Sequence, residues 1–225
     1  MNNEEKIYSL PRIGEKAPSF KAKTTQGEIN FPEDFAGKWV VLFSHPADFT
    51  PVCTTEFMTF ASISDEFKKI NTELVGLSID GIASHIAWLR KIRELKWNNL
   101  ENIEVKFPLI EDIKMEVAKL YGMLHEKDSD TNTVRAVFII NPEGIIKTIM
   151  YYPSSTGRNI DEIIRVIKSL QKSEAEGIAT PANWKEGEDV VLPPPGSCGV
   201  AKDRVEANED DMYCLDWFLC FKKQK

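Results

Sequence analysis

Four side chains that can take part in chemistry lie within nine positions of the sequence: His45, Pro46, Thr50 and Cys53. An ionised cysteine is a nucleophile. Its attack on an oxygen atom needs charge or donors that keep the sulfur ionised, a polar group that orients the oxygen, and shielding from water. Thr50 can supply the polar group and Pro46 part of the shielding, whereas the charge must come from an arginine elsewhere. The cluster therefore predicts nucleophilic chemistry at Cys53.

The local pattern predicts that Cys53 lies in the first turn of a helix. Trp39–Phe43 is a short apolar run typical of a strand buried on both faces. Thr50 then suits the N-cap and Pro51 the first helical position. A thiolate in that turn would face unpaired backbone N–H groups and the positive end of the helix dipole. Thr50 can be a plain N-cap and still orient a substrate.

The other cysteines are Cys198, Cys214 and Cys220, and no C-x-x-C pair occurs. Cysteines this sparse predict no disulfide framework. For Cys198 the expected role is that of a small buried hydrophobe. We expect no metal site at Cys214 and Cys220, because they lack C-x-x-C spacing and nearby histidines. For His45 taken alone, a packed or solvent-facing imidazole is the more common outcome.

Composition excludes several classes of protein. The chain of 225 residues has a formal net charge of −7 and no basic cluster, so nucleic acid is not an expected partner. No apolar run has the length of a membrane span. The first residues are polar and lack the apolar segment of a secretory signal, which predicts a cytoplasmic protein.

Strand patterns alternate with helix patterns, which predicts an α/β sandwich with a mixed central sheet. The Asn141–Gly144 segment, N-P-E-G, indicates a hairpin, and Asn159 is a helix N-cap with Glu162 as its reciprocal partner. The predicted strands cover 19–24, 28–31, 39–43, 73–79, 107–110, 134–140 and 145–151. The predicted helices run from Thr50 to about Ile70, over 82–95 and 113–121, and from Asn159 through Leu170.

Composition shifts after Gln171, which predicts a main domain over 1–171 and a C-terminal arm over 172–225. Residues 172–200 are rich in proline, glycine and charge, as in an extended linker. Met212–Phe221 is strongly apolar. Because burying one large apolar side chain is worth roughly 1.5–3 kcal/mol, we expect this tail to dock on the main body or on another subunit.

The segment from Pro46 to Cys53, P-A-D-F-T-P-V-C, resembles the P-x-x-x-T-x-x-C signature of peroxiredoxins. Three further stretches resemble the one-cysteine subfamily: Ser78 to Trp88, Val134 to Gly144 and Tyr152 to Asn159. The resemblance covers nearly the whole chain. It implies a thioredoxin-like fold and the reduction of hydrogen peroxide and organic hydroperoxides without a metal, flavin or other cofactor.

Carried over by position, the resemblance makes Cys53 the peroxidatic cysteine, which attacks the peroxide and becomes a sulfenic acid. Thr50 and Arg135 match the residues that bind the peroxide. Without the resemblance, Arg135 would be interpreted as a solvated surface charge or as a member of a salt bridge. Arg158 matches a second arginine of the pocket, and His45 matches a histidine near the sulfur. Glu56 matches the carboxylate that braces the arginine, and Pro46 matches the shielding proline.

The tail resembles that of archaeal-type peroxiredoxins with two extra cysteines. This implies that Cys220 of the partner subunit resolves the sulfenic acid as a disulfide, with Cys214 as an alternate partner that can exchange with Cys220. It also implies swapped tails in a homodimer and often a ring of five dimers, with Phe49 as a possible ring contact. A thioredoxin-like, glutaredoxin-like or small-thiol donor completes the cycle. The alternatives are a one-cysteine route with an outside thiol, a ring-forming holdase and a protein disulfide oxidoreductase. The missing C-x-x-C motif argues against the last of these.

Overall fold

The computed structural model of the chain describes residues 10–129, 131–206 and 211–224. The chain divides into two compact units, one ending at Arg158 and the other beginning at Asn159. The division falls before the long helix that the sequence assigned to the main domain. The functional boundary near residue 171 stays a prediction.

The described residues form twelve strands and six helices, with a 3₁₀ turn at Glu33–Phe35. The strands are β1 (Phe20–Thr24), β2 (Gly27–Phe31), β3 (Trp39–Ser44), β4 (Thr72–Ser78), β5 (Lys96–Trp97), β6 (Leu100–Glu101), β7 (Leu109–Glu111), β8 (Arg135–Ile140), β9 (Ile146–Tyr152), β10 (Val190–Val191), β11 (Met212–Asp216) and β12 (Leu219–Lys222). The helices are α1 (Pro51–Ser62), α2 (Ser64–Lys69), α3 (Ile82–Glu94), α4 (Glu116–Leu120), α5 (Ile160–Glu176) and α6 (Cys198–Glu206).

The first unit is built on a seven-stranded sheet with the order β2-β1-β7-β4-β3-β8-β9. Strand β3 pairs in parallel with β4 and antiparallel with β8, so the sheet is mixed as predicted. The hairpin predicted on either side of N-P-E-G is confirmed as β8 and β9. Among the described residues no helix is long and apolar enough to cross a membrane.

All six residues of β3 are buried, because the strand lies between two layers of side chains. On one face, Phe43 contacts the α1 aromatics Phe57 and Phe60, with ring centroids 5.6 and 4.5 Å apart. On the other face, Val40 and Leu42 belong to a core cluster that includes α4 residues. A strand buried on both sides holds the loop that follows it in a fixed place.

A close approach of α1 to the sheet depends on Gly76 in β4. This glycine pairs in register with Phe43. A Cβ atom at Gly76 would lie 3.3 Å from the Phe57 ring and 3.1 Å from Leu109, tighter than ordinary van der Waals contact. The missing side chain therefore lets the helix that carries Cys53 settle against β3 and β4.

The prediction of one helix from Thr50 to about Ile70 was wrong. Helix α1 ends at Ser62, and Ile63 leaves the helical conformation with φ −112° and ψ 16° before α2 begins. Serine competes for backbone hydrogen bonds and β-branched isoleucine loses side-chain freedom in a helix, so this segment is a weak point for helix propagation. Phe67 stays on the buried side after the break.

Two other local predictions were partly right. Asn159 caps α5 by accepting from the Glu162 backbone N–H at 3.2 Å, as expected. The carboxylate of Glu162, however, pairs with Arg165 instead of returning to the cap. Helix α4 is also shorter than the predicted 113–121, because Asp112 accepts from the backbone N–H groups that open this helix.

The second unit is more ordered than the predicted linker over 172–200. Helix α5 continues to Glu176 and ends where Gly177 adopts a left-handed φ of 64°. Helix α6 begins at Cys198. The apolar tail forms the β11–β12 hairpin, which extends a three-stranded sheet with the order β10-β12-β11.

Candidate active site

The loop between β3 and α1 carries the predicted catalytic segment. Thr50 occupies the N-cap position with extended φ and ψ of −104° and 147°, and Pro51 opens the helix, as predicted. The Thr50 side chain does not cap the helix, however. Its hydroxyl donates to the Ala47 carbonyl at 2.8 Å. The first helical turn therefore keeps backbone N–H groups that the Thr50 hydroxyl does not satisfy.

This arrangement leaves the start of α1 electropositive. The first backbone bond of the helix runs from the Thr54 N–H to the Thr50 carbonyl at 3.0 Å. The N–H groups of Val52 and Cys53 precede that bond and have no partner inside a regular helix. Together with the helix dipole they favour a negative charge on the Cys53 sulfur.

Cys53 is fully buried and is not part of a disulfide. Arg135 Nη1 donates to its Sγ at 3.2 Å. Arg135 is itself only 2% exposed, so the interpretation as a solvated surface charge is wrong, whereas its ion pair with Glu56 matches the salt-bridge alternative. The sulfur thus lies deep in the unit but in direct contact with a permanent positive charge.

Glu56, one turn after Cys53, joins two arginines. Its Oε2 accepts from Arg135 Nη1 at 2.7 Å and from Arg158 Nη2 at 2.6 Å. Its Oε1 accepts from the backbone N–H and the Nε of Arg158 at 2.8 and 2.9 Å. Burial acts to raise the pKa of Glu56, but the charges and hydrogen bonds of Arg158 and Arg135 outweigh burial and lower that pKa.

The ionic groups of this cluster balance only when Cys53 is a thiolate. Two guanidinium groups face one carboxylate, so a neutral thiol leaves one buried positive charge without a counter-ion. A thiolate at Cys53 brings the sum to zero. Because buried charges are stable only when paired, the cluster favours the ionised and nucleophilic form of the sulfur.

Carbonyl oxygens fix both guanidinium groups in place. Arg135 donates through Nε and Nη2 to the Ser154 carbonyl at 3.1 and 2.8 Å. Arg158 Nη1 donates to the carbonyls of Ser44 and Ala136 at 2.9 and 3.1 Å. Five predicted site residues therefore come together in one unit, namely Cys53, Thr50, Glu56, Arg135 and Arg158.

Comparisons with known proteins agree with this geometry. The model of the AhpC/TSA family matches residues 13–149, and that of the C-terminal domain of 1-Cys peroxiredoxin matches residues 169–207. A peroxiredoxin of Methanosarcina mazei is 61% identical over 215 residues, which cover 95% of this chain and 98% of that protein. The chain belongs to the peroxiredoxin family. A peroxiredoxin of Aquifex aeolicus is 51% identical over 227 residues, covering 96% of this chain and 99% of that protein.

Solved peroxiredoxins share the architecture. A yeast mitochondrial 1-Cys peroxiredoxin, whose thiol is resolved via glutathione/thioredoxin systems, superposes with a TM-score of 0.81 at 40% identity, covering 96% of this chain and all of that one. Peroxiredoxin 6 of Arenicola marina, as a cysteine-to-serine mutant, gives 0.82 at 34% identity, covering 95% and 98%. The predicted thioredoxin-like fold is confirmed, and this peroxiredoxin is a thiol peroxidase, an oxidoreductase.

His45 lies beside the cluster, and its partners were not predicted. Its Nε2 is 3.0 Å from Asp48 Oδ1, and its ring contacts Phe57 and Trp88 at centroid distances of 4.8 and 5.1 Å. The second carboxylate oxygen of Asp48 contacts His85 Nδ1 at 2.7 Å. Asp48 lies inside the peroxiredoxin signature, and His85 stands three residues after Ile82 and four before Leu89 in the sequence. A polar residue at the helical spacing of apolar residues is therefore the only sequence signal for His85.

The loop before α1 is held by backbone contacts. The Asp48 N–H donates to Asp80 Oδ2 at 2.9 Å. Phe49 has a left-handed φ of 56° and a side chain that is 58% exposed, so burial of its ring does not hold that conformation. Pro46 is buried in the same loop. Its shielding of the sulfur stays a prediction.

Three side chains of the loop region place one potential metal-ligating atom each within 4.8 Å of one another: His45, Asp48 and Asp80. The two oxygens of Asp48 already contact two imidazoles. Asp80 Oδ2 accepts from the Ser78 hydroxyl and the Asp48 N–H. Hydrogen bonds therefore account for this cluster without an ion.

The cysteines of the second unit have different surroundings. Cys214 and Cys220 are directly opposite each other on β11 and β12 and form a disulfide with a Cα–Cα distance of 4.0 Å. Cys198 is free and exposed at the start of α6, so the expectation that it is buried was wrong. Residues 196–200 are all exposed, so no neighbouring element covers the Cys198 thiol.

Proposed function

We propose that this peroxiredoxin reduces hydrogen peroxide and organic hydroperoxides through Cys53, for antioxidant defence. The Cys53 thiolate attacks one peroxide oxygen, the O–O bond breaks, and the products are the Cys53 sulfenic acid and an alkoxide or hydroxide that takes up a proton. The observation that carries the proposal is the 3.2 Å contact between Arg135 Nη1 and the Cys53 sulfur. A fixed guanidinium there stabilises the attacking thiolate and the charge that develops on oxygen.

Thr50 and Arg135 bind the peroxide in this proposal. Because the Thr50 hydroxyl hydrogen is committed to the Ala47 carbonyl, the oxygen of Thr50 is left to accept the O–H of the substrate. Arg135 supplies the donors. Glu56 and Arg158 hold Arg135 in position, whereas Pro46 and His45 complete the pocket wall.

The tail cysteines complete the cycle. The Cys220 thiol of one subunit attacks the Cys53 sulfenic acid of its partner, which forms a disulfide and releases water. Cys214 then attacks the Cys220 sulfur, which frees the Cys53 thiolate and leaves a Cys214–Cys220 disulfide. The directly opposed positions of the pair and the disulfide between them support this exchange. A thioredoxin-like, glutaredoxin-like or small-thiol donor reduces it.

Resolution requires local opening of the peroxidatic site. Cys53 is fully buried. A disulfide needs Cα atoms within about 7 Å and a free path to the sulfur. We therefore expect the first turn of α1 and its preceding loop to loosen after oxidation, so that a tail sulfur can reach Cys53.

The tail also supports an oligomer. Leu215, Trp217 and Phe218 near the β11–β12 turn are 69%, 51% and 52% exposed. Three neighbouring apolar side chains in water are unfavourable, and a second subunit that covers them would remove this penalty. We propose a homodimer with swapped tails, assembled as a ring of five dimers in which exposed Phe49 makes ring contacts. A cytoplasmic location stays a prediction.

The experiment is a single turnover followed on a non-reducing gel. Cys53→Ser should abolish peroxide reduction, and wild type should form a disulfide-linked dimer after one equivalent of peroxide. Cys220→Ser should form no such dimer, whereas Cys214→Ser should accumulate it because exchange is blocked. Cys198→Ser is the matched control and should behave as wild type. Peroxide turnover by Cys53→Ser would contradict the proposal.

A one-cysteine route is the second candidate, and the match of residues 169–207 to the C-terminal domain of 1-Cys peroxiredoxin favours it. In that route an outside thiol reduces the sulfenic acid. Wild type would then give only monomers with a Cys53 sulfenic acid after one equivalent of peroxide. A holdase role would show separately, as aggregation suppression that survives Cys53→Ser.

A further inference from the structure

The Asp48 carboxylate lies between two buried imidazoles beside α1, the helix that carries Cys53. Asp48 Oδ1 is 3.0 Å from His45 Nε2, and Asp48 Oδ2 is 2.7 Å from His85 Nδ1. The side chains of the two histidines are 0% exposed and that of Asp48 is 1% exposed. The sealed geometry restricts where protons can be, because every contact must join a donor to an acceptor.

The contacts of His85 require protons on both of its nitrogens. Its Nε2 is 3.1 Å from the Ile110 carbonyl oxygen, which can only accept. Its Nδ1 faces Asp48, which also accepts when it is ionised. Burial acts to raise the pKa of Asp48, but the hydrogen bonds and charges of His45 and His85 outweigh burial and lower it to about 2. Asp48 is thus a carboxylate, and both ring nitrogens of His85 face hydrogen-bond acceptors.

The same carboxylate determines the state of His45. Its Nε2 must donate to Asp48, whereas its Nδ1 is buried without a hydrogen-bond partner in the part of the chain that the structure describes. Burial lowers the pKa of His45, and the charges of His85 and Arg158 lower it further, against the hydrogen bond and charge of Asp48. The ring is therefore neutral, with an unoccupied lone pair on Nδ1.

We propose that Asp48 and His85 are positioning residues of the peroxidatic site, which hold His45 in one uncharged tautomer with Nδ1 as a hydrogen-bond acceptor. Asp48 is itself anchored from its backbone, since its N–H donates to Asp80 Oδ2 and Asp80 accepts from the Ser78 hydroxyl at 2.9 Å. The charged and titratable groups around His45 are thus Asp48, His85, Arg158 and, through the loop, Asp80.

We assign Nδ1 of His45 to the reaction site because the residues around His45 lie on the Cys53 helix or contact Arg158. His45 contacts Phe57, which follows Cys53 by one helical turn on the same face. The carbonyl of Ser44, the residue before His45, accepts from Arg158 of the catalytic cluster. A thiolate offers no hydrogen to Nδ1. The hydroperoxide and the Cys53 sulfenic acid each bring an O–H group, so the bare nitrogen is an acceptor for the oxygen species of the cycle.

The first test reads protonation directly in the resting protein. The chain has three histidines, and His125 is exposed, so it serves as an internal reference. In long-range ¹H–¹⁵N spectra between pH 6 and 8, His45 should show a proton on Nε2 only and His85 protons on both nitrogens, with the signals of His125 as the reference for an exposed ring. A proton on His45 Nδ1 in the folded protein would overturn the proposal.

The second test compares variants in the rate of Cys53 oxidation by hydrogen peroxide. Asp48→Asn cannot accept from both rings, so His45 should populate both tautomers and the second-order rate constant should fall about 10- to 100-fold. His85→Gln should give a smaller loss in the same direction, and His125→Gln, its matched control, should react as wild type.

Wild-type rate constants in both Asp48→Asn and His85→Gln would refute the positioning role. If Asp48→Asn fails to fold, the wild-type spectra and His85→Gln still decide. The inference rests on the peroxidase reaction of Cys53 but not on the resolving cysteine. Because the tautomer is read without peroxide, its failure is distinct from a failure of the proposed function.

Discussion

The sulfur atoms of the two units have opposite electrostatic surroundings. Cys53 touches a guanidinium at 3.2 Å, lies at the start of a helix and has no sulfur partner. Cys214 and Cys220 are bonded to each other, and their sulfur atoms lie 3.6 and 3.7 Å from the backbone carbonyls of Arg204 and Asp216. Positive charge favours a thiolate that attacks, whereas carbonyl oxygens disfavour one. The first site suits peroxide attack and the second suits thiol–disulfide exchange.

The carboxylates of the two units differ in the same way. Glu56 is buried between two arginines and makes four hydrogen bonds to Arg158 and Arg135 through both oxygens. Glu162 on α5 pairs with Arg165, and their side chains are 40% and 30% exposed. Water screens the α5 pair and weakens its charge–charge attraction. The buried cluster holds one geometry, which is what a nucleophile with a fixed line of attack requires.

The largest expected effect comes from Arg135→Lys, which should reduce the electrostatic difference between Cys53 and the tail cysteines. An ammonium group keeps the charge but cannot contact the Cys53 sulfur, Glu56 and the Ser154 carbonyl at once, as the guanidinium does. We expect the second-order rate constant for hydrogen peroxide to fall about 10²- to 10³-fold. Stopped-flow fluorescence of the reduced protein measures it.

The matched control is Arg165→Lys, which alters a partly exposed arginine of the second unit. Its rate constant should equal that of wild type. Equal rate constants for Arg135→Lys and Arg165→Lys would mean that charge alone, without the fork of donors, primes Cys53.

Much of the fold follows from local pattern, because period-two and helical spacing report burial directly. The strand at Trp39–Ser44, the helix start at Pro51 and the β8–β9 hairpin all follow from it. The Cys53–Arg135 contact does not, since the two residues are 82 positions apart and no periodicity relates them. Only the resemblance to a family connected them, and the mixed sheet then brings the end of β3 beside the start of β8.

The missed features depend on tertiary contacts. The break at Ile63 follows from weak helix formers combined with packing of Phe67, and neither alone predicts it. In the sequence, His85 is one polar residue in the predicted helix over 82–95. Its role depends on Asp48, which lies 37 positions earlier in another loop. Donor and acceptor matching across such distances is visible only in three dimensions.

A second way to sharpen the contrast is to remove one carboxylate charge from each unit. Glu56→Gln leaves two buried guanidinium groups facing a neutral amide, and breaking a buried ion pair in this way costs about 3–5 kcal/mol of unfolding free energy. Glu162→Gln, in the exposed pair, should cost less than about 1 kcal/mol. Urea denaturation of both reduced proteins at equal concentration measures the difference. Similar losses would show that the cluster around Glu56 is open to solvent.

Acid should destabilise the first unit through Asp48 and His45. The folded pKa of Asp48, about 2, lies below its ordinary 3.8, so its contribution is present above pH 3.8 and is lost as the pH falls toward 2. That contribution is about 2 kcal/mol. The lowered pKa of His45 adds a loss that begins below pH 6.5, because the unfolded chain takes up a proton that the folded ring refuses.

Urea midpoints between pH 7.5 and 3 test this dependence. His45→Gln should remove the part of the slope that begins below pH 6.5, whereas His125→Gln, which changes an exposed ring, should keep it. A midpoint that stays constant from pH 7.5 to pH 4 would contradict neutral burial of His45. It would leave the charge balance at Cys53 and Glu56 unaffected.

The smallest effect is expected at the tail hairpin, with Phe218→Ala. Phe218 is 52% exposed, so its removal should change the unfolding free energy by less than about 0.5 kcal/mol. The oxidation rate of Cys53 should not change. Phe57→Ala, in the buried layer beneath Cys53, should instead cost about 3–5 kcal/mol. If the hairpin docks on a second subunit, Phe218→Ala should still slow disulfide-linked dimer formation after peroxide, because Cys220, the proposed resolving residue, lies in the same hairpin. A large stability loss in Phe218→Ala at subunit concentrations too low for dimers would instead place its ring against its own chain.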